Sequence, residues 1–184
     1  MVSMSASATT SRILLALLAA TLVAAGDEAD DFAREAFGTD APRSTLSVAG
    51  DLSRLCRQTV GAPIPREVIY YHSLSNGTVW VLMAQGKHGP ITGAFMVQDA
   101  LIRASRILED RERRGRGIRG KRYLRQFEGI GLRAGKQLDR RVDGITGATI
   151  SSRAVEKMAL LALRLDALTK GAQVQRINER QVDE

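Results

Sequence analysis

The sequence predicts an α+β fold: one domain in which an antiparallel sheet packs against a C-terminal helix and smaller helices. Three observations predict it. Between residues 67 and 109, four short β-branched, aromatic or apolar runs follow one another across turn-length gaps; such gaps favour an antiparallel meander, since parallel crossovers need about a dozen residues or more. From Arg153 to Lys170 the chain has no Gly or Pro, and its apolar residues recur at 3-and-4 spacing, which is the signature of a packed helix. The chain is 184 residues long, 44% hydrophobic and 26% charged, a composition that suits a globular domain with a short additional segment.

The first 25 residues stand apart from that domain. Arg12 precedes the run ILLALLAATLVAA at 13–25, and the acidic cluster Asp27, Glu28, Asp30 and Asp31 follows it. A positive n-region, an apolar core and small residues at the end define a secretory signal. Cleavage is expected after Ala25, and the rival reading is a retained N-terminal anchor, although the run is short for a span of about 20 residues. No cysteine follows the run, so a lipid anchor of the bacterial lipoprotein kind is excluded. Export implies a periplasmic location or the outer face of the inner membrane.

Residues 26–65 are expected to form an N-terminal helical segment. EADDFAREAFG at 28–38 reads as a short helix ending at Gly38, and Ala41-Pro42 breaks the chain. Residues 48–59 read as a second helix with Leu52, Leu55 and Cys56 on one face, ended by Pro63 and Pro65. The main domain is placed at 66–171. Its strands are expected at 67–74, 78–84, 91–98 and 101–109. Ser75-Asn76-Gly77 gives the first pair a hairpin turn, which also accounts for the match of Asn76-Gly77-Thr78 to a glycosylation sequon. Residues 121–128 read as a short helix and 129–142 as a loop with some extended character. In the last helix Val155, Met158, Ala159, Ala162, Leu165 and Leu168 form one stripe, widened by Leu160, Leu161 and Leu163. Gly171 reads as its stop, with a polar tail at 172–184.

The charge narrows the partners. Lys and Arg number 27 against 20 Asp and Glu, a net +7, or +6 once Arg12 leaves with the signal. A basic protein attracts anions: nucleic acid, acidic lipid or a phosphorylated cofactor. Base stacking needs aromatic residues; the chain is 4% aromatic, and export also opposes nucleic acid. The single Cys56 can form neither an internal disulfide nor a Cys-rich zinc site, and His72 and His88 lie far from any ligand-spaced partner, so no metal site is expected. The arginine cluster Arg111, Arg113, Arg114, Arg116, Arg119, Lys121, Arg122 and Arg125 reads as a solvated loop, or as a border of the cofactor site that docks an acidic partner or a lipid surface. Gly115 to Gly120 matches GxGxxG, but no βαβ unit surrounds it, and the dinucleotide fold requires one. Lys87 and His88 sit on a turn from which they could approach a cofactor ring, and they read as exposed turn residues.

The chemistry concentrates in DGITGATISS at 143–152. Gly147 and Ala148 let a bulky ligand approach the backbone, Thr146, Thr149 and Ser151 surround them with hydroxyls, and a buried helix starts directly afterwards. The free N–H groups and dipole of a helix N-terminus attract a phosphate. A plain N-cap by Ser151 or Ser152 would explain one hydroxyl, but not the Thr-Gly-Ala-Thr before it. Glu156 lies four residues from Ser152, so a strict capping box fails.

DGITGAT resembles the attachment motif of the FMN-binding domain family, which includes the C subunit of the sodium-pumping NADH:quinone reductase and the G subunit of the Rnf-type complex. The pattern of Asp, two residues, Ser or Thr, Gly, Ala and Thr falls on Asp143, Thr146, Gly147, Ala148 and Thr149. The stretches 86–92, 107–109, 123–127 and Gly129 follow the family's element order, so the resemblance covers roughly residues 66–168. It implies FMN held by a phosphoester bond to Thr149, with Asp143 part of the sequence recognised by a magnesium-dependent flavin transferase that uses FAD as donor. It also implies electron relay to or from a membrane or periplasmic redox partner, without a catalytic residue of the chain's own. The short chain, with one apolar N-terminal segment, resembles stand-alone members more than pump subunits. The alternative is a basic periplasmic docking module without covalent cofactor.

Overall fold

The computed structural model describes residues 27–61, 64–72, 77–112 and 115–182. The expected signal or anchor at 1–25, the Ser75-Asn76 turn, Pro63, and Arg113 and Arg114 lie outside the described residues. The chain enters through helix α1 (27–37), followed by β1 (Arg43–Ser47), α2 (Gly50–Val60), β2 (Glu67–His72), β3 (Thr78–Gln85), β4 (Pro90–Gln98) and β5 (Leu101–Glu109). A 3-10 turn at Gly115–Arg119 leads into α3 (Lys121–Leu124) and a second 3-10 turn at Arg125–Phe127. The two-residue strands β6 (Leu132–Arg133) and β7 (Gln137–Leu138) form a small hairpin before α4 (Thr149–Val182).

The five long strands make one sheet in sequence order, with every pairing antiparallel. Side chains alternate across a strand, so each strand feeds both faces. Trp80, Leu82 and Ala84 of β3 join Ile91, Phe95 and Val97 of β4 on the face covered by α4. Val79 of β3, with Ala94 and Met96 of β4, faces the other way, under Ala29, Phe32 and Ala33 of α1. The sheet is therefore sandwiched, and its central strands read as nearly continuous apolar runs because both faces are buried. Each large side chain removed from water in this way contributes roughly 1.5–3 kcal/mol.

Two expectations are corrected. The segment at 26–65 is not wholly helical: Arg43–Ser47 forms an edge strand, with Thr45 opposite Ile69 and Leu46 opposite Val68. Only Leu46 in RSTLS is a large apolar residue, so the strand is specified by the edge of β2 that it pairs with rather than by its own pattern. The C-terminal helix also does not stop at Gly171 but continues to Val182, so the expected polar tail is helical over most of its length. A mid-helix Gly costs about 1 kcal/mol relative to Ala, which neighbours with ordinary helix propensity can offset.

Candidate functional site

The site is built where α4 begins. Its first intrahelical bond runs from the Ser152 N–H to the Ala148 carbonyl at 2.9 Å, so the N–H groups of Thr149, Ile150 and Ser151 have no carbonyl one turn back to bond. The preceding loop closes a turn from the Ala148 N–H to the Ile145 carbonyl at 2.9 Å. Gly147, third in that turn, has φ 78°, the left-handed conformation that this position favours in glycine. A Cβ built on Gly147 would meet nothing within 4 Å, so the loop presents bare backbone to open space beside Thr149.

Hydrogen bonds hold this loop from behind. Ser152 Oγ accepts the Ile145 N–H at 3.0 Å. The Gln126 side chain grips the Asp143 backbone at both ends: its Oε1 accepts the Asp143 N–H at 2.8 Å and its Nε2 donates to the Asp143 carbonyl at 3.3 Å. Buried Tyr123 donates its hydroxyl to the Ser152 carbonyl at 3.1 Å. Burial raises the Tyr123 pKa above the ordinary phenol value, so the hydroxyl remains a donor across the physiological range. Ile145 also packs on the Gly117 backbone, within 3.0 Å of where a Cβ would stand. The GxGxxG stretch is thus a 3-10 support for the loop, and among the described residues no parallel strand accompanies it.

In front, the loop opens on a cleft of about 220 Å³ lined by Lys87, His88 and Glu112 on one side and by Gly147 to Ser151 on the other. Lys87 and His88 are exposed, on the β3–β4 turn. Glu112 is only 7% exposed. Its Oε2 accepts the Ser151 hydroxyl at 2.7 Å and its Oε1 accepts the His88 N–H at 2.8 Å. Ile150 stands at the rim, 54% exposed, an apolar surface next to the Lys87 and His88 side chains and the N–H groups of the first turn of α4.

Residues 86–164 match the family model of the FMN-binding domain. This segment is similar to the FMN-binding domain family. The match runs from the turn carrying Lys87 into the middle of α4 and contains every wall of the cleft, whereas β1, β2 and β3 precede it. Comparison with curated proteins gives no match. The family match over residues 86–164 points to a flavin-binding role.

Within the matched segment, the structure brings Gly147, Ala148, Thr149 and Ser151 together around the cleft. Asp143 and Thr146 are exposed on the loop leading to it. The residues fit FMN: an anion seat at the helix N-terminus, an exposed threonine beside it, open space over Gly147 and an apolar rim for a ring. Ser151 and Ser152 are not N-caps, because α4 starts at Thr149, ahead of both. Ser151 is turned inward to Glu112, and Ser152 is turned back to the loop.

Three contributors went unnoticed in the sequence. Glu112 is hidden in an arginine-rich stretch, where a carboxylate among cations is the one available signal. Tyr123 and Gln126 fall in the stretch 123–127 that follows the family's element order, but nothing in it marks them as supports of the loop. Lys87 and His88, expected as plain turn residues, line the cleft because the β3–β4 hairpin returns there.

Proposed function

We propose that the chain is an exported flavoprotein that carries FMN as a phosphoester on Thr149 and relays electrons to or from a membrane or periplasmic redox partner. The observation that carries this reading is the separation of the hydroxyls at the cleft. Ser151 is 1% exposed and its proton is directed to Glu112, Ser152 is buried against Ile145, and Thr146 lies outside the cleft lining. Thr149 is exposed, lines the cleft and sits at the first turn of α4, where N–H groups and the helix dipole favour a phosphate.

Bound FMN supplies one- or two-electron transfer, which the protein's side chains do not. The chain's residues bind and orient. The first-turn N–H groups and Lys87 would hold the phosphate, Gly147 leaves the approach open, and Ile150 offers an apolar surface at the rim. For attachment, Thr149 Oγ1 attacks the flavin-side phosphorus of FAD on a separate transferase. The pyrophosphate bond breaks, AMP departs and the hydroxyl proton is lost. A dedicated transferase makes a general base beside Thr149 unnecessary. The tether suits a compartment outside the cytoplasm, where free FMN would be lost, and the expected signal at 1–25 supports that location.

The test is co-expression with a flavin transferase followed by intact-mass measurement under denaturing conditions. One FMN phosphoester should be retained, and Thr149→Val should abolish it. Trypsin cuts after Arg141 and Arg153, so a single peptide at 142–153 holds Thr146, Thr149, Ser151 and Ser152, and fragmentation assigns the label. A native chain of unmodified mass from a host containing the transferase would instead favour the docking module without covalent cofactor.

A further inference from the structure

The flavin reading leaves Glu112 without a role. A carboxylate is costly to bury unless its oxygens are satisfied, and an apolar residue of similar shape is often at least as stabilising. Both of its oxygens are committed, and to different elements: Oε1 to the His88 backbone at 2.8 Å, Oε2 to Ser151 at 2.7 Å. Its own N–H donates to Asp110 Oδ1 at 2.9 Å, and Asp110 is ion-paired with Arg119. The turn it holds is closed by the Gly86 N–H on the Gly89 carbonyl at 2.8 Å. A Cβ on Gly86 would come within 2.6 Å of Glu112 Oε1, so only glycine there lets the carboxylate reach the turn. Stability alone does not call for a polar side chain at this place, but joining the two walls of the cleft calls for one that can make both bonds.

We propose that Glu112 is a positioning residue whose carboxylate ties the turn bearing Lys87 and His88 to the first turn of α4, holding the cleft beside Thr149 in the shape that receives the flavin phosphate. The proposal rests on Thr149 as the attachment site. Glu112 acts through the His88 backbone and Ser151, and it acts by geometry. Its charge opposes a nearby phosphate, so a neutral side chain with the same two bonds should serve as well. Glutamine offers them, since its oxygen accepts the His88 N–H and its amide can donate to Ser151 Oγ.

The full chain is incubated with a flavin transferase, FAD and magnesium. Mass gain is followed in time, and the anisotropy of the attached flavin and the melting temperature are recorded. Glu112→Ala should be labelled at least about tenfold more slowly, since small misplacements at a reacting centre cost rate steeply, and its flavin should show lower anisotropy. Glu112→Gln should restore both. A purely structural role would lower the melting temperature without moving the anisotropy. Labelling of Glu112→Ala at the wild-type rate with unchanged anisotropy overturns the proposal, as does a well-folded Glu112→Gln that fails like alanine. If Glu112→Ala does not fold, Ser151→Ala removes one half of the tie. Slower labelling is then expected, and a wild-type rate with unchanged anisotropy overturns the proposal. A wild-type chain that takes no label at Thr149 overturns the attachment reading, and the positioning role with it. A labelled wild type beside a Glu112→Ala that matches it in labelling rate and anisotropy overturns the positioning role alone.

Discussion

At the scale of single residues, hydroxyls of similar chemistry are separated by what their neighbours do with them. Thr149 and Ser151 are two residues apart, yet one faces solvent and the other gives its proton to a buried carboxylate. Tyr123 shows the same logic at the back of the site. Replacing it with Phe should cost about 1 kcal/mol, read by chemical denaturation, because its hydroxyl bonds the Ser152 carbonyl. The variant also has a signature in pH. Burial, the first cause in each case, raises the Tyr71 and Tyr123 pKa values above the ordinary 10.0, so in the folded protein both stay protonated where unfolded tyrosines ionise. Their contribution is complete below about pH 10 and is lost as pH rises toward their folded values. Alkaline titration of the native protein should show both phenols ionising late or only on unfolding. Tyr123→Phe should make the fall in stability above pH 10 shallower.

At the scale of elements, turns and helix ends carry the strain and the function. β4 and β5 are joined by Asp99 and Ala100, both with positive φ, at 54° and 59°. This is the two-residue hairpin geometry in which Gly is preferred at the second place. Ala100 therefore holds a conformation that disfavours a Cβ. Ala100→Gly should raise stability by about 0.5–1 kcal/mol, measured as a higher denaturation midpoint at unchanged slope; an unchanged or lowered midpoint would contradict the assigned turn. The β5 edge beyond it is covered, since the Ile102 N–H donates to the Ile130 carbonyl and the Ile102 carbonyl accepts the Gly129 N–H, at 2.9 and 2.7 Å. The start of α4 was misjudged by about a turn from the sequence, because Ser151 and Ser152 look like caps. Its end was misjudged because a lone glycine punctuates a helix weakly.

At the scale of the whole molecule, the sheet is a partition between two cores. Much of the α4 core lies within the FMN-binding domain match and backs the cleft. The other core depends on α1, which is held by Phe32 under Arg106 at 5.0 Å from guanidinium to ring centre, by the ion pair of Arg106 with Glu35, and by Tyr71 donating to Asp30. Phe32→Ala should cost about 3 kcal/mol and loosen α1, seen as faster amide exchange over 27–37 and dye binding to the uncovered face. The cleft lies at the mouth of α4, on the other side of the sheet, so covalent flavin labelling should persist in this variant at temperatures where it stays folded. Loss of labelling without unfolding would show that the two cores are coupled.

By itself the sequence determined what depends on local chemistry. Short β-branched, aromatic or apolar runs between turns declared the strands over 67–109, and a 3-and-4 spacing declared the helix through Val155, Met158 and Leu165, because burial of one helix face leaves a fixed spacing. DGITGAT declared a phosphate seat, because an anion site needs small residues and hydroxyls at a helix start, and its resemblance to the family's attachment motif implied the flavin. Only the tertiary structure decided what depends on residues far apart in the chain. It recruited Arg43–Ser47 as a strand through pairing with β2, joined Glu112 to His88 and Ser151 across three elements, and left Thr149 exposed at the cleft while Ser151 and Ser152 are turned inward. Hydrogen bonds between distant segments impose no periodicity on either partner, so neither sequence stretch announces them before the chain folds.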